Sequence, residues 1–303
     1  MGSVGMSTVS VLMPVFNAAR FLDAAIDSIR RQSMDDWELV VVNDGSTDDT
    51  LAIVRRHAGQ DGRIVVVDKA NGGIADALNA GLAVCRAPLI ARMDGDDISE
   101  ADRLAVQRAF LAARPEIGAV GGWATVMDEN SIPIGRLTHP TEPSDVDRAV
   151  REGSYAMLHP TMMIRRDVLA TAGDYDRSFR YAEDLDLLLR LSEVTTLANL
   201  PRTVLTYRRR GQTENTARGE VNPLWDQRAL LAANARGRRR ISAATLARAA
   251  DRVSWTALND GDYRTAVAQA WRAALHAPLS TVGVRALARV GWRSAISQWG
   301  KAN

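Results

Sequence analysis

Asp94, Asp96 and Asp97 fall within four positions of ARMDGDD (91–97), directly after the apolar run APLI (87–90). Carboxylates this close repel one another unless a cation faces them. Oxygen ligands fixed in a turn suit a hard divalent ion such as Mg²⁺ or Mn²⁺. One or two such carboxylates, with the diphosphate of a substrate, form a usual setting for that ion, which neutralises charge building on a departing phosphate. The same residues also occur in solvated turns, because Asp and Gly favour turns for local reasons. A second acidic group, YAEDLDLLLRL (181–191), places Glu183 and Asp184 in the first turn of a helical pattern. Acids there are stabilised by the helix dipole. Asp44, in NDGS (43–46), precedes a helix and is favoured there for the same reason.

The elements that must position these acids alternate regularly. VSVLMPVF (9–16), WELVVV (37–42), RIVVVD (63–68) and APLIARMD (87–94) read as strands. Between them, helical spacing covers 18–32, 46–58 and 72–85. The first helix puts Phe21, Leu22, Ala25, Ile26 and Ile29 on one face, and Ser46 or Thr47 is the expected cap of the second. Strand and helix joined by short links imply right-handed βαβ units on a parallel sheet. In such sheets ligands bind outside the carboxyl ends of the strands, which is where Asn17, Asp44 and Asp94 to Asp96 fall. Beyond Asp97 the pattern loosens. It gives a helix over 99–113 capped by Ser99 with Asp102, a hairpin over 116–139 around the turn DEN, and a helix over 143–153. A strand over 159–166, a helix over 182–193 and a last strand over 203–210 follow.

Bulk properties narrow the class. The 303 residues are 46% hydrophobic and 24% charged, an ordinary soluble mixture able to bury a large core. The lone cysteine, Cys85, excludes a disulfide framework and a cysteine-rich zinc site, and its apolar setting predicts an inert thiol. The opening MGSVGMSTVS lacks the basic flank and apolar stretch of a signal peptide, and no apolar run nears the ~18 residues of a membrane span, so a cytoplasmic chain is expected. No G-x-x-x-x-G-K-[ST] loop occurs. VFNAAR stands where a G-x-G-x-x-G would follow the first strand, which argues against P-loop and nicotinamide-dependent enzymes.

VSVLMPVFNAARFLDAAIDSI, ELVVVNDGSTDDT, NGGIADALNAGL, IARMDGDD and YAEDLDLLLRL, in that order, resemble the family-2 glycosyltransferases. The likeness runs from about Val9 to Tyr207. It implies the GT-A fold, a Rossmann-like α/β architecture with a mixed, mainly parallel sheet flanked by helices, over a catalytic domain of residues 1–221. It also implies inverting transfer of a sugar from a nucleoside diphosphate to a hydroxyl of a saccharide or lipid-linked acceptor, in cell-surface polysaccharide or glycoconjugate synthesis. By position, Pro14, Val15, Phe16, Asn17, Asp44 and Ser46 match segments that hold the nucleoside. A carboxylate acceptor at Asp44 favours uracil or thymine, whose N3–H it can accept. Asn71 and Gly73 match the N-x-G near the phosphates, and Leu78 stands where many relatives have arginine. Asp94, Gly95 and Asp96 match the D-x-D, with Asp96 and Asp94 as ligands for Mn²⁺ or Mg²⁺. Asp184 is placed as the general base and Glu183 beside it as an orienting acid. His159 matches a His-Pro pair near the acceptor, with a structural role equally open. Arg210 falls where many relatives carry a metal-binding histidine; it would pair with the diphosphate, or Arg208–Arg210 would be a solvated strand end. The competing readings are a sugar-1-phosphate nucleotidyltransferase, which would need a Gly-rich basic loop after the first strand, and a catalytically inactive nucleotide-sugar-binding scaffold.

Residues 222–303 lie outside the resemblance and turn to Ala, Arg and Leu with helical spacing. From Trp225 onward, 12 Arg and 1 Lys face 4 acids, a net charge of +9, while residues 1–224 carry −7. Such a helical tail meets an acidic surface or is a solvated arginine-rich face. With Trp255, Trp271, Trp292 and Trp299 among the arginines, its expected place is the inner face of a membrane carrying anionic lipid. No nucleic-acid partner is expected. Residues 259–278 resemble one helical-hairpin unit.

Overall fold

The computed structural model describes residues 7–179, 181–209, 223–237, 241–259, 262–277, 282 and 285–288. The chain divides into two units. One comprises residues 1–148 with 155–211, the other residues 149–154 with 212–303.

The first unit is built on β1 (Val9–Val15), β2 (Trp37–Asp44), β3 (Ile64–Lys69) and β4 (Leu89–Arg92). These pair in parallel in the order β3-β2-β1-β4. Every residue of β1 and β2 is buried, as expected of strands covered on both faces. Pro14 is tolerated in the central strand because β1 pairs with β4 only up to Leu12↔Arg92, so its missing N–H costs no ladder bond to β4. Helices α1 (Ala19–Arg30), α2 (Thr50–Gln60) and α3 (Ile74–Leu82) connect these strands. The face predicted for α1 packs into the core through Leu22, Ala25, Ile26 and Ile29. Phe21 instead lies partly exposed beneath the Arg208 guanidinium, 4.2 Å from its ring centre.

The rest of the sheet is mixed. A short β5 (Ile98–Ser99) and α4 (Arg103–Ala113) lead into the hairpin of β6 (Ile117–Met127) and β7 (Pro133–Leu137), closed by Asp128 accepting from the backbone of Asn130 and Ile132. Helix α5 (Pro143–Arg151), a single 3₁₀ turn at His159–Thr161, β8 (Met163–Arg165), α6 (Arg166–Ala172), α7 (Glu183–Val194) and β9 (Thr196–Arg208) follow. The full order is β3-β2-β1-β4-β8-β6-β9-β5, with β7 on β6.

Several boundaries differ from the sequence expectation. Helix α2 starts at Thr50 rather than 46, because Ser46 and Thr47 are bonded to Asn17, and Asp48 accepts from Thr50 N instead. Helix α4 starts at Arg103: Ser99 belongs to β5, and Asp102 binds Arg202 rather than capping. The strand expected over 159–166 contracts to three residues. The last strand begins seven residues early, at Thr196, with Pro201 and Arg202 bulged out of the β6 register between Leu200 and Thr203. Helix α6 had no counterpart in the reading. Cys85 is buried and its thiol is pushed up to about 12 by burial, then by Glu38, consistent with an inert thiol.

The second unit contains α8 (Pro223–Arg236), α9 (Ala243–Asn259) and α10 (Tyr263–His276). Asp262 caps α10 by accepting from Thr265 N at 3.1 Å. Helices α9 and α10 form a hairpin with an alanine core of Ala250, Ala257, Ala266, Ala270 and Ala273. The small side chains let Ser254 Oγ reach Ala266 O at 2.9 Å. Among the described residues no helix is long and apolar enough to cross a membrane.

Candidate active site

The strand order reverses between β1 and β4, since the chain runs outward through β2 and β3 and then returns to the other flank of β1. Loops after strands on either side of such a switch point diverge and leave a crevice. The loops after β1 and β2 are bonded to each other at its mouth. Asn17, at φ 48°, donates from its backbone N–H to Ser46 Oγ at 3.0 Å and accepts from Thr47 N at 2.9 Å. Asn tolerates this left-handed backbone because its short side chain bonds locally. Pro14 and Val15 are buried beneath, and Phe16 is exposed.

Asp44 ends β2, buried, and its carboxylate gathers the next loop. Oδ1 accepts from Gly72 N at 2.9 Å and from Lys69 Nζ at 2.6 Å, Oδ2 accepts from Gly73 N at 2.9 Å, and its carbonyl accepts from Asn71 Nδ2 at 3.0 Å. The approach requires glycine at 45, where φ is +71° and a Cβ would stand 2.6 Å from Asn71 N. Lys69 continues to Asp76 at 2.7 Å, and Asp76 to Arg177 at 3.0 Å. Burial opposes the Lys69 charge, but Asp44 and Asp76 hold its pKa above the ordinary value. Lys69, and then Arg177, hold Asp76 low. Asn79 of α3 fixes the same far segment by a reciprocal pair with the Tyr175 backbone, at 2.7 and 3.0 Å. Leu78 is fully buried in the core, so this position offers no contact to a ligand.

After β4, the DGD turn packs closely, since a Cβ on Gly95 would stand 2.5 Å from Val15. Asp94, Asp96 and Asp97 can each turn one carboxylate oxygen to within 4.8 Å of the others. Asp97 is fully buried. Its Oδ1 accepts from Arg208 N at 2.8 Å, while its Oδ2 has no hydrogen-bond partner. Burial, then Asp94 and Asp96, push the Asp97 carboxyl well above the usual range. An all-oxygen donor set with concentrated negative charge and an orphaned buried oxygen fits a hard divalent cation. The sequence reading named Asp94 and Asp96; Asp97 joins them.

Arg92 lies under the turn, buried, with Nη1 2.6 Å from Asp94 Oδ2. Burial works against its charge, and Asp94 more than restores it. Arg92 also acts electrostatically on Glu183 and lowers its pKa, while Asp94 raises it. Glu183 is pushed up to about 8 by burial first and by Asp184 second. Asp184 Oδ1 accepts from Leu185 N at 2.8 Å. The residue before this pair, Ala182, is left-handed at φ 60°. Helix α7 is held in place by Arg190, which binds Asp186 at 2.9 Å and the carbonyls of Ala172 and Gly173 at 2.9 and 2.6 Å.

His159 is buried, with Nε2 2.7 Å from Tyr175 Oη, and burial followed by Arg92 lowers its pKa well below the usual value. A neutral imidazole placed this way fixes Tyr175, which is itself buried and within electrostatic reach of Glu183 and Asp184. Arg210 lies outside the described residues. Its neighbour Arg208 is buried, donating to Asp96 O at 2.9 Å and to Asp128 O and Ser131 Oγ. Sequence reasoning passed over Lys69, Asp76, Arg92 and Tyr175, and its reading of Arg208 as part of a solvated strand end is corrected by the burial of that side chain. Arg92 alone carried a legible signal, a charge interrupting an apolar strand just before acids; the others converge only through tertiary structure.

A family model described as Glycosyl transferase family 2 matches residues 10–172. The putative glycosyltransferase EpsE of Bacillus subtilis (strain 168) is 35% identical over 189 residues, covering 61% of this chain and 66% of that protein. The chain thus spans just under two thirds of that relative. The O-antigen biosynthesis glycosyltransferase WbnJ of Escherichia coli is 30% identical over 207 residues, 67% of this chain and 80% of WbnJ. Among solved structures, S. aureus TarS 1-349 aligns with a TM-score of 0.61 at 18% identity, over 89% of this chain and 81% of that one. The mannosyltransferase PcManGT from Pyrobaculum calidifontis, in complex with GDP-Man and Mn²⁺, aligns at 0.59 and 19% identity, over 99% and 81%. At such identities the structures testify to the fold, GT-A, and the sequence matches carry the rest: this chain belongs to glycosyl transferase family 2.

Proposed function

We propose that the chain is an inverting glycosyltransferase, moving one sugar from a UDP- or dTDP-sugar to a hydroxyl of a saccharide or lipid-linked acceptor in polysaccharide or glycoconjugate synthesis. The observation that carries the reading is the cluster of Asp94, Asp96 and Asp97 after β4, with carboxylate oxygens within 4.8 Å of one another and Arg92 2.6 Å from Asp94, in a chain of glycosyl transferase family 2.

The roles follow from the residues. Asn17, Asp44 and Ser46 line the nucleoside end. A carboxylate offers about four acceptor positions; Asp44 uses three, on Lys69, Gly72 and Gly73, leaving one for the N3–H of uracil or thymine. Asn71 and Gly73 open α3 beside the phosphates. Asp94 and Asp96, with Asp97 behind them, would hold Mn²⁺ or Mg²⁺, which when bound neutralises charge on the leaving diphosphate. On the opposite side Asp184 takes the proton of the acceptor hydroxyl as its oxygen bonds to the anomeric carbon and the bond to the diphosphate oxygen breaks. Glu183, pushed up to about 8 by burial and by Asp184, holds its proton near neutral pH and orients the acceptor beside Asp184. His159 sets Tyr175 beside them.

The test is release of nucleoside diphosphate from a panel of UDP-, dTDP- and GDP-sugars with saccharide acceptors, with and without Mn²⁺, and NMR assignment of the product anomer. The expected product has the configuration opposite to that of the donor. Retention of configuration would overturn the single-displacement role given to Asp184, and release of pyrophosphate from a sugar phosphate and a nucleoside triphosphate would make the chain a nucleotidyltransferase.

A further inference from the structure

Helix α10 (Tyr263–His276) buries one face and exposes a second apolar one. Ala266, Ala270 and Ala273 point into the hairpin with α9. On the other side Val267, Trp271 and Leu275, spaced four residues apart, are 38%, 57% and 76% exposed. This spacing lines them up along about 12 Å of one helical face. Arg264 falls on the same line at its start and Arg272 beside its centre, both exposed, and α10 contains no acid. A soluble helix normally turns charges, not a tryptophan and a leucine, to water.

We propose that this face of α10 docks reversibly onto a membrane surface containing anionic lipid. Charge complementarity selects that occupant: Arg264 and Arg272 border the stripe, and residues 225–303 carry a net +9. Trp and Leu suit the boundary between headgroups and acyl chains, while arginines on the same face reach anionic headgroups. The inference rests on α10 and its surroundings alone and needs neither donor nor acceptor.

The experiment is flotation of the full chain, without substrates, on vesicles of phosphatidylcholine alone or mixed with phosphatidylglycerol, at low and high salt. The expected result is at least about tenfold more binding to the mixed vesicles, falling with salt. Trp271→Glu and Leu275→Glu, at exposed positions that leave the hairpin core intact, each lower binding about tenfold, and Arg264→Gln with Arg272→Gln removes the anionic preference. Nucleoside diphosphate release with a soluble acceptor stays at the wild-type level in all of these variants, so loss of docking and loss of catalysis are read separately. Equal binding to both vesicle types, or flotation of Trp271→Glu like wild type, would overturn the proposal. So would a wild-type dimer in sedimentation that Trp271→Glu converts to monomer without any vesicle binding, which would assign the stripe to self-association.

Discussion

Glu183 and Asp184 share the first turn of α7, and two carboxylates so close do not both ionise without cost. Burial, and then Asp184, push the Glu183 carboxyl up to about 8 in the folded chain, from 4.5 for an unperturbed glutamate. Between those values the folded protein holds a proton that the unfolded chain has released, so this group makes stability fall as pH rises from 4.5 to about 8, then level off. Glu183→Gln removes that slope. Its melting temperature should gain on wild type progressively across this window and keep a constant lead above it, as followed by thermal melts over a pH series. Asp184→Asn should leave nucleotide affinity near normal by calorimetry and lower turnover by ~10² or more. Asp96→Ala should instead weaken nucleotide binding in the presence of Mn²⁺ and abolish the difference between Mn²⁺ and EDTA. These residues were legible because they repeat family-specific words in order. Lys69, Asp76 and Arg177 were not, because a chain of ion pairs linking β3, α3 and a loop 100 residues on leaves no local spacing to read.

At the scale of elements, what the sequence expressed best was the strands β1 to β4, whose continuous apolar runs have few other uses. Helix starts were legible only to within a few residues. Ser46 has the chemistry of a cap, yet it bonds across to Asn17, because the loops after β1 and β2 stabilise each other more than either would stabilise a helix end. Beside this pair, Gly45 lets the loop after β2 approach the loop after β3. Gly45→Ala forces a methyl against Asn71 N in a left-handed backbone, and should lower stability by about 1–3 kcal/mol in urea titrations, with weaker nucleotide binding. Ala182 presents the reverse case. A non-glycine residue at φ 60° just before the acidic pair stores about 1 kcal/mol of strain. Ala182→Gly should therefore gain about that much stability in the same titration, and lose turnover because the start of α7 is less fixed.

For the whole molecule, composition and alternation were enough to give the α/β class and the strand ends after which Asn17, Asp44 and Asp94 to Asp96 lie. They were not enough to order the second half of the sheet. There the strands are short or bulged: β8 has three residues, β5 two, and β9 steps out of register at Pro201. Such pairings are decided by which edges remain open, not by local pattern. The resulting order has a consequence for how the protein is made. Strand β9 lies between β6 and β5, although it emerges from the ribosome after both. Until residue 208 has been synthesised, β6 waits with a bare flank and the two residues of β5 have no strand to join. A nascent chain halted near residue 195 should thus be a strong client for chaperones and a poor candidate for soluble expression. A chain continued through Arg208 closes the sheet at its last strand.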